Sequence, residues 1–373
     1  MPMLYFDHAA SQPPLTEVVD FYRRELVENF ANPSASHRAG KALFDRIHQI
    51  RLKILNSLNA KPDDLVVFTA SATEANNLII SGLARRFETA AVSKTEHPSL
   101  IKPIEARTTT VKYLNHNQDY EIDEHDFQSA LETCDFVGVS QVNNTTGMIN
   151  QFDSKIYEKK MAHLHWDLSQ SYTKIPFDFS LSGADSITLS GHKFGAPKGI
   201  GILVVRKGIE IRPQILGGGH EQGLRSGTLN YPLISTVGFT IDIKMKKMES
   251  SLKNMTELKK KFINALLEIN SKIEIPFEKS SPFICTIKLP VPSSDIVMRA
   301  LEDKGVVVST SAACSSKNKK FSPVFDALGF SLPSHSQMMR ISFSPETTLS
   351  DVESFIDVFK EVNKMMVLFG SSS

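Results

Sequence analysis

The sequence predicts an α/β fold, with a mostly parallel central sheet covered by helices on both faces and a smaller α+β region after it. Two observations carry this. Over roughly the first 240 residues, short apolar runs alternate with helix-like or loop segments, as in strands joined by crossovers. From about residue 240 the alternation gives way to one long amphipathic helix and then to separate strands and helices. A chain of 373 residues can bury a large core and suggests about two domains. The expected division is an N-terminal segment at 1–15 packing near the functional site, a large ligand-binding domain at 16–240 and a small domain at 241–373.

The elements follow in order. "TEVVDFYRRELVENF" places Val19, Tyr22, Leu26 and Phe30 on one helical face, and "HRAGKALFDRIHQIRLKILNSL" does the same with Leu43, Ile47, Ile50, Ile54 and Leu58. Strand character marks 65–69, 89–93, 136–142, 163–166, 186–190 and 201–205. A helix over 240–265 connects to strand-like 283–289, helix-like "SDIVMRALEDKG", strand-like 306–310 and 339–344, and a last helix, "LSDVESFIDVFKEVNKMM".

Composition narrows the function. Hydrophobic content of 41% and charged content of 22% are ordinary for a soluble globular protein. No apolar run has the length of a membrane span, and the N-terminus lacks a basic region followed by an apolar one. The expectation is a cytoplasmic protein without membrane contact. A net charge of +1 argues against direct nucleic-acid binding, and the basic cluster at 244–247 and 259–261 reads as the solvated face of the long helix. Cys134, Cys285 and Cys314 form no paired framework and no close metal-ligand spacing, and His220 in "GGGHE" has no second ligand, so no metal site is expected. Cys134 and Cys285 lie in apolar stretches and read as buried side chains.

Parallel sheets bind ligands at the carboxyl ends of their strands. Five successive predicted strand ends carry small, hydroxyl or ionisable residues: "ASATEANN", "KTEHPS", "VNNTTG", "DLSQS" and "GHK". "ASATEANNLII" has the pattern of a strand, a tight turn and a helix start that can hold a phosphate, with Thr73 adding a hydroxyl; taken alone, the motif favours simple capping by Thr73 or Ser71. Asp167, at the end of a buried-looking strand, calls for a cationic partner, either a protonated cofactor nitrogen or an arginine. Gln170 stands beside it, and His97 is either an acid–base group or a hydrogen-bonded loop histidine. Lys193 follows an apolar run in a glycine-rich turn. An amine, a phosphate-holding helix start and a buried carboxylate together fit pyridoxal phosphate (PLP).

The ordered segments "YFDHAAS", "NPSASHRAGK", "VVFTASATEANNLII", "TEHPS", "VNNTTGMIN", "HWDLSQSYTKIPFD", "SGHKFGAPKGIGIL", "GGGHEQGLRSGTLN", "STSAACSS" and "MRISFS" span nearly the whole chain. In them the sequence resembles the cysteine desulfurases of the class V aminotransferase group, which are fold-type I PLP-dependent transferases. The resemblance implies that Lys193 bonds the cofactor covalently and carries the proton at the substrate α-carbon, while His97 stacks on the ring and assists proton transfer. It implies Asp167 on the pyridine nitrogen, Gln170 on the phenolic oxygen, and Thr73, Ser190 and His192 on the phosphate. Thr228 would reach across from a second subunit, which makes a homodimer the expected active species. Asn144 would contact both cofactor and substrate, and Arg340 and Asn32 would bind the substrate with it, Arg340 as a carboxylate fork. Cys314, in "SAAC", would attack the sulfur of L-cysteine and leave alanine and a persulfide for a sulfur-acceptor protein serving iron–sulfur clusters, tRNA thiolation or another pathway. Lys317, Lys319 and Lys320 would favour its thiolate.

Departures from the family pattern occur at His8 in "DHAAS", around "SATEAN", at Thr145 and Thr146 in "NNTTG" and in "HEQG". They bear on substrate preference and rate more than on cofactor binding. The short stretch after the last predicted helix suggests a sulfur acceptor different from that of longer-tailed relatives. The alternatives are a related lyase or aminotransferase, such as a selenocysteine lyase, or a non-catalytic partner protein built on the same fold.

Overall fold

The computed structural model describes residues 3–85, 87–310 and 321–370, the last five as backbone alone. The chain runs β1 (Leu4–Tyr5), α1 (Thr16–Glu28), α2 (Arg38–Ser57), β2 (Leu65–Thr69), α3 (Ala72–Gly82), β3 (Thr89–Ser93), α4 (Pro98–Arg107), β4 (Thr110–Leu114), α5 (Glu124–Thr133) and β5 (Phe136–Ser140). It continues through β6 (His163–Asp167), β7 (Ser186–Ser190), β8 (Gly201–Val205), α6 (Tyr231–Ile269), β9 (Ile284–Lys288), α7 (Ser294–Glu302), β10 (Val306–Val307) and β11 (Ser309–Thr310). The last elements are α8 (Pro323–Ala327), α9 (Leu332–Gln337), β12 (Met338–Ser342) and α10 (Leu349–Gly370).

Seven strands form the main sheet in the order β2-β8-β7-β6-β5-β3-β4. Only β8 runs against the rest, pairing antiparallel with both β2 and β7. The carboxyl ends of the other strands therefore share one edge. Side chains alternate across the sheet. Val66, Phe68, Val137, Val139 and Val204 pack with Leu43, Ile47, Ile50 and Ile54 of α2 on one face. Val67, Phe136, Leu203 and Val205 pack with Leu78, Ile79, Leu100 and Ile104 of α3 and α4 on the other. Helices thus cover both faces of a mostly parallel sheet, as the apolar runs predict.

A three-stranded antiparallel sheet, β11-β12-β9, carries the second core, where Phe262, Ile287, Ile341, Phe343 and Phe355 meet Phe6 from the N-terminal segment. Helix α6 serves both cores. Its first half gives Tyr231, Ile234, Val237 and Ile241 to one, and its second half gives Met255, Leu258, Phe262 and Leu266 to the other.

Several sequence expectations differ in detail. Helix α6 begins at Tyr231 rather than near 240, because Asn230 caps it and Pro232 sits in its first turn. Strand β4 escapes the pattern because it is an edge strand with an exposed first residue and three half-buried ones. The run 306–310 divides between two partners, β10 pairing with β1 and β11 with β12. Of the face expected around α1, Tyr22 packs against the core, but Val19, Leu26 and, just past the helix, Phe30 are turned outward, with Phe30 83% exposed, and Val18 and Glu25 are buried instead. The basic cluster is not wholly solvated. Lys244 is buried and paired with Glu346. Lys259 is buried with its ammonium on the Ser280 carbonyl (3.1 Å), Ser280 Oγ (2.7 Å) and the Ser281 carbonyl (3.1 Å). Cys134 and Cys285 are buried as expected.

Candidate active site

A cleft of about 710 Å³ opens at the edge where the parallel strands end. Thr73, His97, Asn144, Asp167, Gln170, Ser190, His192, Lys193 and Arg340 all line it, together with Ala9 and Ala10 of the N-terminal segment. Residues distant in sequence meet there because β2, β5, β6 and β7 each deliver the loop that follows them to the same edge.

At the end of β2, Ser71 is the N-cap of α3, its hydroxyl accepting from Glu74 N at 3.2 Å. Glu74 returns to Ala70 N at 2.8 Å and also binds Arg225. The cap is thus made by Ser71, and Thr73 takes no part in it. The first-turn N–H groups of α3 lie at the cleft wall, which suits an anion. Gly201, the first residue of β8, allows this packing: a Cβ there would stand 2.2 Å from the Ser71 carbonyl carbon and 2.5 Å from Ala72 N.

Asp167 is buried at the end of β6, with Oδ1 accepting from Ser169 N (2.8 Å) and Oδ2 from Asn76 Nδ2 (3.0 Å). Gln170 donates from Nε2 to the Ala9 carbonyl (2.9 Å), while its buried Oε1 has no protein partner. Lys193, just beyond β7, donates to the carbonyls of Ala9 and, at 2.7 Å, Ala10. His192 lies 3.3 Å from Ser11 Oγ through Nδ1, and burial together with the charges of Lys193, Lys198 and Lys174 lowers its pKa to about 4. His97 caps α4 through Nδ1, and its pKa is lowered by burial and Lys193 against the opposing pull of Asp167.

Arg340 on β12 is buried, with Nη2 on Asp7 Oδ1 (2.7 Å) and Nη1 on the Asn144 carbonyl (2.8 Å); its Nε has no protein partner. Asn32 and Thr228 are exposed and do not line the cleft. The Asn32 side-chain Oδ1 accepts from Ser34 N at 2.9 Å. Cys314, with Lys317, Lys319 and Lys320, lies outside the described residues. Phe321, Ser322 and Pro323, which follow that segment, line the cleft.

Sequence reasoning missed Asn76, Glu96, Ser99, Lys174 and Asp7. Glu96 is wholly buried beside the cleft, accepts from Ser140 N at 2.9 Å, and is pushed up to about 7, chiefly by burial. Lys174 is buried and pushed down to about 7, again chiefly by burial, with Lys193 and Lys244 adding to it. A polar residue inside an otherwise apolar helix face, as Asn76 is on α3, was the available signal.

The donor set fits PLP. The α3 N-terminus with Thr73, Ser190 and His192 suits its phosphate, Asp167 suits a protonated ring nitrogen, and Lys193 supplies an amine. The orphaned Gln170 Oε1, a buried polar atom without a partner, marks a place where a polar ligand group belongs. Among the described residues no group of three or more His, Cys, Asp or Glu side chains could hold a metal ion.

Comparison with known proteins supports this chemistry. The family model Aminotransferase class-V matches residues 4–355. A protein of Dictyoglomus turgidum named cysteine desulfurase IscS is 30% identical over 96% of this chain and 94% of its own length. One of Archaeoglobus fulgidus, cysteine desulfurase IscS 1, is 31% identical over 96% and 97%. A solved structure titled NifS-like protein superposes with a TM-score of 0.88 at 27% identity, covering 97% of this chain and all of that one.

Proposed function

Because the chain belongs to the class-V aminotransferase family, we propose that it is a PLP-dependent cysteine desulfurase, converting L-cysteine to L-alanine and passing the sulfur to an acceptor through a persulfide on Cys314. The observation that carries this reading is the convergence of Lys193, Asp167, His97 and Thr73 with Arg340 on one cleft.

PLP supplies an aldehyde that condenses with amines and a ring that accepts the electron pair released at the substrate α-carbon. Asp167 would hold the proton on the ring nitrogen, its second oxygen steadied by Asn76. Thr73, Ser190, His192 and the α3 N-terminus would hold the phosphate, Gln170 would bond the phenolic oxygen, and His97 would lie against the ring. Arg340, already oriented by Asp7 and the Asn144 carbonyl, would take the substrate carboxylate, with Asn144 lining the cleft beside it, while Asn32 stands outside the cleft. Lys193 Nζ takes and returns the proton at the α-carbon. The Cys314 thiolate forms an S–S bond to the substrate sulfur as the C–S bond breaks. Proton uptake at that carbon completes alanine.

The active species in this reading is a homodimer. Support comes from the exposed apolar side chains Val27, Phe30, Phe44 and Leu216, and from Thr228 on an exposed loop where a neighbouring chain can receive it. No helix among the described residues is long and apolar enough to cross a membrane.

The test is purified protein with L-cysteine and a reductant. Equal yields of alanine and sulfide are expected, lost in both Cys314→Ala and Lys193→Ala. Turnover surviving Cys314→Ala points to a lyase, and a wild-type protein with no yellow cofactor band refutes the reading.

A further inference from the structure

Behind the cleft wall, hydrogen bonds join the two residues assigned to the cofactor's ring nitrogen and its face. Asn76, wholly buried on α3, reaches from Nδ2 to Asp167 Oδ2 (3.0 Å) and to Ser99 Oγ (3.1 Å). Its Oδ1 lies 3.1 Å from His165 Nε2. His165 Nδ1 and His163 Nε2 each lie 2.8 Å from Ser186 Oγ. On the other side, Ser99 Oγ lies 2.8 Å from His97 Nδ1, and the Ser99 backbone N–H donates to the same nitrogen at 3.1 Å.

The direction of each bond follows from donor and acceptor chemistry. A carboxylate only accepts, so Asn76 must turn its NH2 toward Asp167 and its oxygen toward His165. His165 Nε2 therefore carries a hydrogen, and burial keeps the ring neutral, so its Nδ1 accepts from the Ser186 hydroxyl. Ser186 Oγ in turn accepts from His163 Nε2. Toward the cleft, the second Asn76 N–H occupies Ser99 Oγ, and the single Ser99 hydroxyl hydrogen goes to His97 Nδ1. Two donors, one of them a backbone N–H that cannot reverse, converge on one ring nitrogen and leave no place for a proton there. Burial of His97, which disfavours its charged form, agrees.

We propose that Asn76 and Ser99 are positioning residues that hold His97 as the neutral Nε2–H tautomer and tie it to the amide that orients Asp167. His97 then presents the cleft with a hydrogen-bond donor rather than a base, and proton abstraction at the substrate falls to Lys193 alone. This rests on the cofactor-site reading above and deepens it. Protonating His97 at Nδ1 would break the bond from the Ser99 backbone N–H and force the Ser99 hydroxyl to turn from donor to acceptor, so the two functions do not exchange on one ring without rearranging the start of α4.

The ring nitrogens report this directly. In 15N-histidine-labelled holoenzyme, long-range 1H–15N correlations assigned with His97→Gln should show a pyrrole-type Nε2 and a pyridine-type Nδ1 around neutral pH. Asn76→Ala frees the Ser99 hydroxyl to turn away, which should move both nitrogens toward averaged values. It should also lower kcat about tenfold with KM changed less than about twofold. Ser99→Ala should give a smaller loss, because Asn76 stays on Asp167 and the Ser99 backbone N–H stays on Nδ1, and Ser99→Thr should restore it. A proton on Nδ1 in the wild type, a doubly protonated ring, or His97 signals unmoved by Asn76→Ala would overturn the proposal. If Asn76→Ala does not fold, the wild-type spectrum and the Ser99 pair decide. Absence of the cofactor band would refute the functional reading instead, and the tautomer is read independently of it.

Discussion

Glu96→Gln tests whether burial at the cleft wall, rather than ion pairing, governs that carboxyl. Glu96 is wholly buried, with Asp167 nearby and Ser140 N as a donor, and its pKa rises from 4.5 to about 7. The folded state therefore keeps a proton that the unfolded chain releases between those values. The contribution is fully present below pH 4.5 and is lost as pH rises through 7. A tenfold change in acidity corresponds to ~1.4 kcal/mol, so ionisation of Glu96 costs about 3 kcal/mol of stability at pH 8. Glutamine mimics the protonated acid in shape, keeps an oxygen for Ser140 N and cannot ionise. Urea unfolding of cofactor-free protein should show the variant only slightly more stable than wild type at pH 5, with the gap widening by about 2–3 kcal/mol at pH 8. By thermal unfolding the pH 8 difference amounts to a few degrees in a chain of this length. A gap that stays constant with pH would refute the reasoning.

Lys174 carries the opposite sign. Its pKa is depressed from 10.5 to about 7, so its contribution is present above pH 10.5 and lost as pH falls toward 7. Lys174→Met should be more stable than wild type by about 4 kcal/mol at pH 7, and the advantage should shrink steadily as unfolding is followed toward pH 10. Arg340→Lys replaces a planar fork held by Asp7 and the Asn144 carbonyl with a point charge; steady-state kinetics should show KM for L-cysteine raised ~10–100-fold, with a smaller fall in kcat. Gly201→Ala forces a methyl into the Ser71–Ala72 backbone, and absorbance titration with PLP should show the dissociation constant raised more than about tenfold.

Most of the scaffold was legible because short apolar runs in the strands, buried on both faces, and 3.6-residue spacing in α2 report burial directly. The α2 stripe Leu43, Ile47, Ile50, Ile54 and Leu58 is buried as a unit. The same reasoning held for Tyr22 of α1 but not for Val19, Leu26 and Phe30, since periodicity locates an apolar stripe but not what covers it. Edge strand β4 was missed because only one side of it has a neighbour and its side chains are mostly half-buried.

For the site, the chain itself announced Lys193, Asp167, Gln170, Thr73 and His97, since each is a polar or ionisable residue just past an apolar strand. By itself the sequence determined the alternation of elements, the strand ends that carry chemistry and the family that those segments resemble. Tertiary structure decided which of these residues share a cleft, that Ser71 rather than Thr73 caps α3, and that Asp7 orients Arg340 across 333 positions of chain. It also decided the burial that raises the pKa of Glu96 and lowers those of Lys174 and His97. A local sequence specifies the groups that can ionise or donate, but desolvation and hydrogen-bond direction depend on neighbours that only the folded sheet brings within 3 Å or so.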